Sequence, residues 1–234
     1  MSASQHDDLD KVPRVRKTSV EERRVEILET TCLVVIERGF AATRIADVAN
    51  RLGVSSGLIH YHFESKDQLL AEAFEYAAAT DLARLESELA KEGTPVERLD
   101  RIFKLYTPTD EDPGWLLWID GWGEAIRSSA LKRISQDLDL RWQERLEDVI
   151  IEGVKEGDFT CADPHASAWR LAALIDGLGV QVAVHEDVVS KSELLAWVRG
   201  AACTELGLPD GAFDKKPARS RRGGPGSRSG SRVA

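Results

Sequence analysis

Residues 39–70 read GFAATRIADVANRLGVSSGLIHYHFESKDQLL, and the chemistry in them is that of contact with a surface, not of bond breaking. Ile59 and Phe63 are four residues apart and share one face of a short helix, whereas Ser56, Gly57, His60 and Tyr61 lie largely on other faces. A glycine inside so short a helix costs roughly 1 kcal/mol against alanine, which points to close approach of that helix to something outside it. Lys66 follows on the rim of the same face. Such a helix is suited to lie in the major groove of DNA. His60 and His62 are two residues apart and face different directions, so no metal site is expected of them.

The flanking residues predict how that helix is held. Thr43 is placed to cap a preceding helix whose apolar positions are Ile45, Val48, Ala49 and Leu52. Gly53 then supplies the sharp stop. Val54 can plug the corner, Ser55 can cap the short helix, and Ser65 a third one beginning at Lys66.

In order and at the same spacing, Gly39-Phe40, Thr43, Val48-Ala49, Gly53-Val54-Ser55, Tyr61-His62-Phe63 and Ser65-Lys66 resemble the DNA-binding domain of the tetracycline-repressor (TetR) family. The resemblance covers about thirty residues and is more specific than a lone helix-turn-helix pattern. It implies an all-α chain with a helix-turn-helix at 44–63 and double-stranded DNA as partner. By position it implies phosphate contacts from Thr43, Ser55, Tyr61, His62 and Lys66, with Arg44 and His60 beside them. Ser56, Gly57 and Leu58 fall where the family approaches base edges, and a thymine methyl suits Leu58. His60 stands where the family usually has Tyr.

The net charge of -9 is unevenly spread. Residues 67–208 hold 14 basic and 28 acidic side chains, while residues 20–66 hold six and seven. The acidity belongs to the second half, and the head must place its contacts instead of relying on bulk attraction. Residues 1–19 read as a disordered basic leader whose Lys11, Arg14, Arg16 and Lys17 could reach DNA. Residues 209–234 read as a disordered basic tail. Three dispersed cysteines, Cys32, Cys161 and Cys203, fit reduced thiols and a cytoplasmic chain. No apolar run approaches the roughly 20 residues of a membrane span, so no membrane partner is expected. No phosphate-cradling glycine loop, zinc spacing or nucleophile elbow is present; neither an enzyme nor a cofactor is expected.

Beyond the head, at 20–81, the pattern predicts six more helices, nine in all, with a regulatory and dimerisation region at 82–208. Trp115, Trp118 and Trp122 share one helical face at i, i+3, i+7. With Phe103, Tyr106, Trp142 and the carboxylates of Asp120, Glu124 and Asp176 they form a candidate pocket for a cationic or aromatic small molecule. Core packing accounts for the same spacing. The W-x-x-W-x-x-x-W-x-E-A arrangement resembles, more loosely, the choline-responsive betaine-synthesis repressor branch of the family. Trp169, Ala173, Gly177 and Val180, with Leu194, Trp197, Val198 and Ala201, are candidates for a homodimer interface of four helices; packing within the chain would use the same residues. The function implied is a one-component homodimeric repressor, binding a palindromic operator and released by a small molecule. An activator, or a DNA-binding protein without a ligand, would carry the same head.

Overall fold

The computed structural model describes residues 19–109, 114–185 and 187–214. Lys11, Arg14, Arg16 and Lys17 of the leader, and the tail beyond residue 214, lie outside them. The described residues form nine α-helices and no strand: α1 (Val20–Arg38), α2 (Ile45–Leu52), α3 (Ser56–His62), α4 (Lys66–Leu89), α5 (Pro95–Tyr106), α6 (Gly114–Ala125), α7 (Ser129–Glu156), α8 (Pro164–Val184) and α9 (Lys191–Leu206).

Local chemistry sets many of the ends. Ser19, Thr94 and Ser190 each cap a helix, and Glu22, Glu97 and Glu193 return the bond to the cap residue's own backbone. Such caps stabilise a helix by about 1 kcal/mol each. Gly53 ends α2 at φ 71°, a left-handed turn that leads directly into α3.

The chain divides into two units. The first takes residues 19–80 together with 116–136. In its core Ile27, Val34, Val48, Ala49, Ile59, Phe63 and Leu69 bind α1, α2 and α3 to the start of α4. A second cluster joins Val35, Phe40 and Phe74 to Leu117 and Leu131, so α6 and the beginning of α7 belong to this unit. The second unit takes the described residues of 81–115 and 137–214, with a core including Leu85, Leu99, Phe103, Leu146, Ile150, Leu171, Ile175, Leu194 and Val198.

Two sequence expectations change. Residues 209–214 are not part of a disordered tail, because Ala212–Asp214 form a 3-10 turn and the Phe213 ring lies 5.8 Å from that of Phe103. Phe213 is half-buried against the core of the second unit. Second, α8 is long and apolar enough, by length and composition, to cross a membrane, although the sequence reading found no such run. Alanine and glycine dilute its apolar signal, and Arg170 and Asp176 interrupt it. Only 28% of its apolar window is buried within the chain, so much of α8 is left uncovered.

Candidate functional site

Ser55 caps α3, its hydroxyl accepting from the Leu58 N–H at 3.3 Å. Ile59 and Phe63 are buried beneath the helix, while Ser56, Gly57, His60 and Tyr61 are exposed and Leu58 and His62 half-buried. Tyr61 is 73% exposed, an aromatic ring held out into solvent and edge-on to His62 at 5.1 Å. A Cβ built on Gly57 would meet nothing nearer than the Ser55 hydroxyl at 3.7 Å. Packing within the described residues does not require glycine there.

Lys66 donates from Nζ to the Ala41 carbonyl at 3.0 Å, which fixes its ammonium beside the turn before α2. Arg44 is exposed and its backbone N–H donates to Asp47 at 3.0 Å. Arg44, and not Thr43, is the cap residue of α2. Thr43 is 1% exposed, and its hydroxyl donates back to the Gly39 carbonyl at 2.8 Å. Its expected phosphate contact is therefore corrected: a buried hydroxyl already committed to a carbonyl closes the α1–α2 turn and cannot reach a ligand.

Arg24 of α1 was not singled out from sequence. It donates to the His62 carbonyl at 2.6 Å, pairs with Glu72, and sits 4.3 Å over the Phe63 ring. A cation at a helix C-terminus and over an aromatic face is favourable on both counts, so Arg24 holds the end of α3. No local pattern signals a partner 38 residues away.

A second constellation lies in the second unit. The Tyr106 and Trp142 rings meet edge-on at 4.3 Å, and the Trp115 indole donates to the Tyr106 carbonyl at 3.1 Å. Trp115 also lies over Gly179, where a Cβ would come within 2.1 Å of the indole. Burial, then the charges of Asp176, Asp139 and Asp81, push the Tyr106 hydroxyl well above the ordinary phenol range. Burial, and secondarily Asp139, push Asp176 up to about 6. The charges that act on Tyr106 are those of Asp176, Asp139 and Asp81, so carboxylates and aromatic faces meet here.

The tryptophan stripe is divided. Trp115 joins Tyr106 and Trp142, with Phe103 in the core behind. Trp118 packs on Phe74 at 5.2 Å and Trp122 on Trp118 at 6.0 Å, both in the first unit. Asp120 is also there, accepting from the Phe40 N–H at 2.6 Å, and Glu124 shares that unit. A stripe on one helix face still runs for two turns along the axis, and here it serves two neighbours in succession.

The expected interface residues also separate. Leu194 and Val198 are completely buried in the chain's own core, so the interface expectation is corrected to exclude them. Trp169 and Trp197 remain nearly half exposed, Ala173 and Gly177 are exposed, and Val180 and Ala201 are half-buried.

A buried three-helix head that presents the polar face of its short third helix defines a helix-turn-helix DNA-binding regulator. Comparison with known proteins agrees. Residues 27–73 match the family described as bacterial regulatory proteins, tetR family, and residues 95–207 match the BetI-type transcriptional repressor, C-terminal family. The HTH-type transcriptional regulator BetI of Paraburkholderia phymatum is 31% identical over 171 residues, covering 71% of this chain and 84% of that protein. The HTH-type transcriptional repressor KstR2 of Mycobacterium tuberculosis is 31% identical over 144 residues, 60% of this chain and 70% of that one. A putative transcriptional regulator from Saccharomonospora viridis, solved in complex with choline, superposes with a TM-score of 0.74 at 32% identity, covering 80% of this chain and 98% of its own. The chain belongs to the TetR family of bacterial transcriptional regulators, with a C-terminal half of the BetI type. It is a DNA-binding regulator and not an enzyme.

Proposed function

We propose that this regulator is a homodimeric repressor that grips a palindromic operator with one α3 per subunit and lets go when a small organic cation fills the Tyr106 cluster. The observation that carries the cation reading is the setting of Asp176. A carboxylate desolvated near Asp139 and Tyr106 is unfavourable by itself, and an arriving cation offsets that cost. The choline bound to the Saccharomonospora viridis relative is of this chemical class.

The exposed face of α8 and α9 supports the dimer. Trp169, Ala173, Gly177 and Val184 run along α8, and Trp197 and Gly200 along α9. A Cβ on Gly177 or Gly200 would meet nothing within 4 Å, so two helices of a second copy can approach closely. Two heads would then read half-sites about 34–36 Å apart.

α4 runs without a break from Lys66, in the head, to Leu89, in the second unit. Cation binding that displaces α4 alters the spacing of the two heads, provided that the cation prefers the released state.

The test is a gel shift on DNA flanking the protein's own gene, with and without choline. Sharp binding to a palindrome that choline abolishes is the expected result. Binding without sequence preference, or indifference to every quaternary ammonium ion tried, would count against the proposal. For the dimer, Trp197→Glu should give monomers by analytical ultracentrifugation.

A further inference from the structure

Gln143 on α7 is 4% exposed, and neither its Oε1 nor its Nε2 has a hydrogen-bond partner among the described residues. Burying an amide with both ends unpaired is costly, so this position calls for a reason. Its neighbours supply one. Asp139 lies one helical turn earlier on the same face of α7, and its charge acts on both Asp176 and Tyr106. Trp142, the preceding residue, packs on Tyr106. Burial is the main influence on both the Tyr106 hydroxyl and the Asp176 carboxylate. The unpaired Gln143 amide therefore shares a stretch of α7 with two residues, Asp139 and Trp142, that act on Tyr106.

We propose that Gln143 is a specificity-determining residue of the effector site, whose amide hydrogen-bonds a hydroxyl carried by the organic cation. The proposal rests on the cation reading above and names a narrower class: ammonium ions bearing a hydroxyl a few bonds from the charge. One turn of helix, about 6 Å, separates Gln143 from Asp139, so a cation held by the carboxylates can present a hydroxyl to the amide. A hydroxyl is preferred to a carboxylate or ketone because it can accept from Nε2 or donate to Oε1, whichever is in reach. A site built to pair a hydroxyl rejects the analogue that lacks it, since the buried amide is then left unpaired.

The experiment is calorimetric titration of the intact protein with choline and with propyltrimethylammonium, which puts a methyl in place of the hydroxyl, at a pH where Asp176 is ionised. The wild-type protein should bind choline about tenfold or more tightly than the propyl analogue. Gln143→Met should bring the two affinities together by weakening choline alone, and should raise the melting temperature of the ligand-free protein. Gln143→Asn, which keeps the amide but withdraws it by one methylene, should also weaken choline selectively, and serves if the Met variant does not fold. Equal wild-type affinities, or a choline preference that survives both substitutions, would overturn the role of Gln143 and leave the cation reading intact. Failure of the wild-type protein to bind either ion would overturn the cation reading itself, and with it this proposal.

Discussion

The Asp120 carboxylate accepts the backbone N–H of Phe40 at 2.6 Å, tying α6 to the turn that separates α1 from α2. A Cβ on Gly39 would come within 3.2 Å of the same carboxylate, so the turn and the acid fit closely. Phe40 itself is buried against Phe74 and Leu117. Asp120→Ala leaves a main-chain donor without its acceptor and should cost about 1–3 kcal/mol. Urea denaturation measures the loss, and operator affinity should weaken as the turn loosens. A variant as stable as the parent would show that the bond contributes nothing.

Gly57→Ala separates folding from recognition. Among the described residues the added methyl meets only the Ser55 hydroxyl, at 3.7 Å, and alanine favours a helix over glycine by about 1 kcal/mol. The melting temperature should rise while operator affinity falls. If both rise together, α3 does not approach DNA at Gly57.

Tyr61 and Lys66 test the phosphate contacts, and Thr43 provides the contrast. Tyr61→Ala should leave stability nearly unchanged, because the ring is exposed, yet weaken operator binding about tenfold. Lys66→Ala should weaken binding on all sequences and reduce the salt dependence by about one ion. Thr43→Val, which removes the bond to Gly39, should lower stability and spare the affinity of the folded fraction. Fluorescence anisotropy across a salt series, set beside thermal melts, distinguishes the three.

Asp176 makes a pH-dependent prediction whose sign follows from its burial. Its folded-state value is raised from 3.8 to about 6, so ionising it opposes folding. That cost is absent below about pH 4 and complete above about pH 6, at about 3 kcal/mol. The ligand-free protein should therefore lose stability as pH rises through this window, and Asp176→Asn should flatten the loss. Cation binding runs the other way, since it favours the ionised acid: affinity should fall as pH drops below about 6.

The helices were legible from sequence because their ends are written in local chemistry. Thr94, Asp163-Pro164 and Ser190 start helices, and Gly53, Gly157 and Gly207 follow their last turns. The exposed face of α3 was legible for the same reason, since Ile59 and Phe63 mark its buried side. Thr43 misled because a hydroxyl before a helix looks the same whether it faces the helix amides or the Gly39 carbonyl behind it. Arg24 gave no sign, its partners being on α3 and α4. The tryptophan stripe has helical periodicity, and periodicity reports a shared face without saying that one neighbour covers all of it. Gln143 resembles any polar residue of an amphipathic helix until its burial is known.

Coupling between the Tyr106 cluster and α3 is tested most directly by the anisotropy of a fluorescent duplex carrying the protein's own promoter palindrome, titrated with choline in the presence of competitor DNA. The wild-type complex should dissociate as choline saturates, and the Asp176→Asn complex should bind the duplex equally well but resist release. If choline binds with operator affinity unchanged, or if Asp176→Asn is released at the same choline concentration as the wild type, the account is wrong.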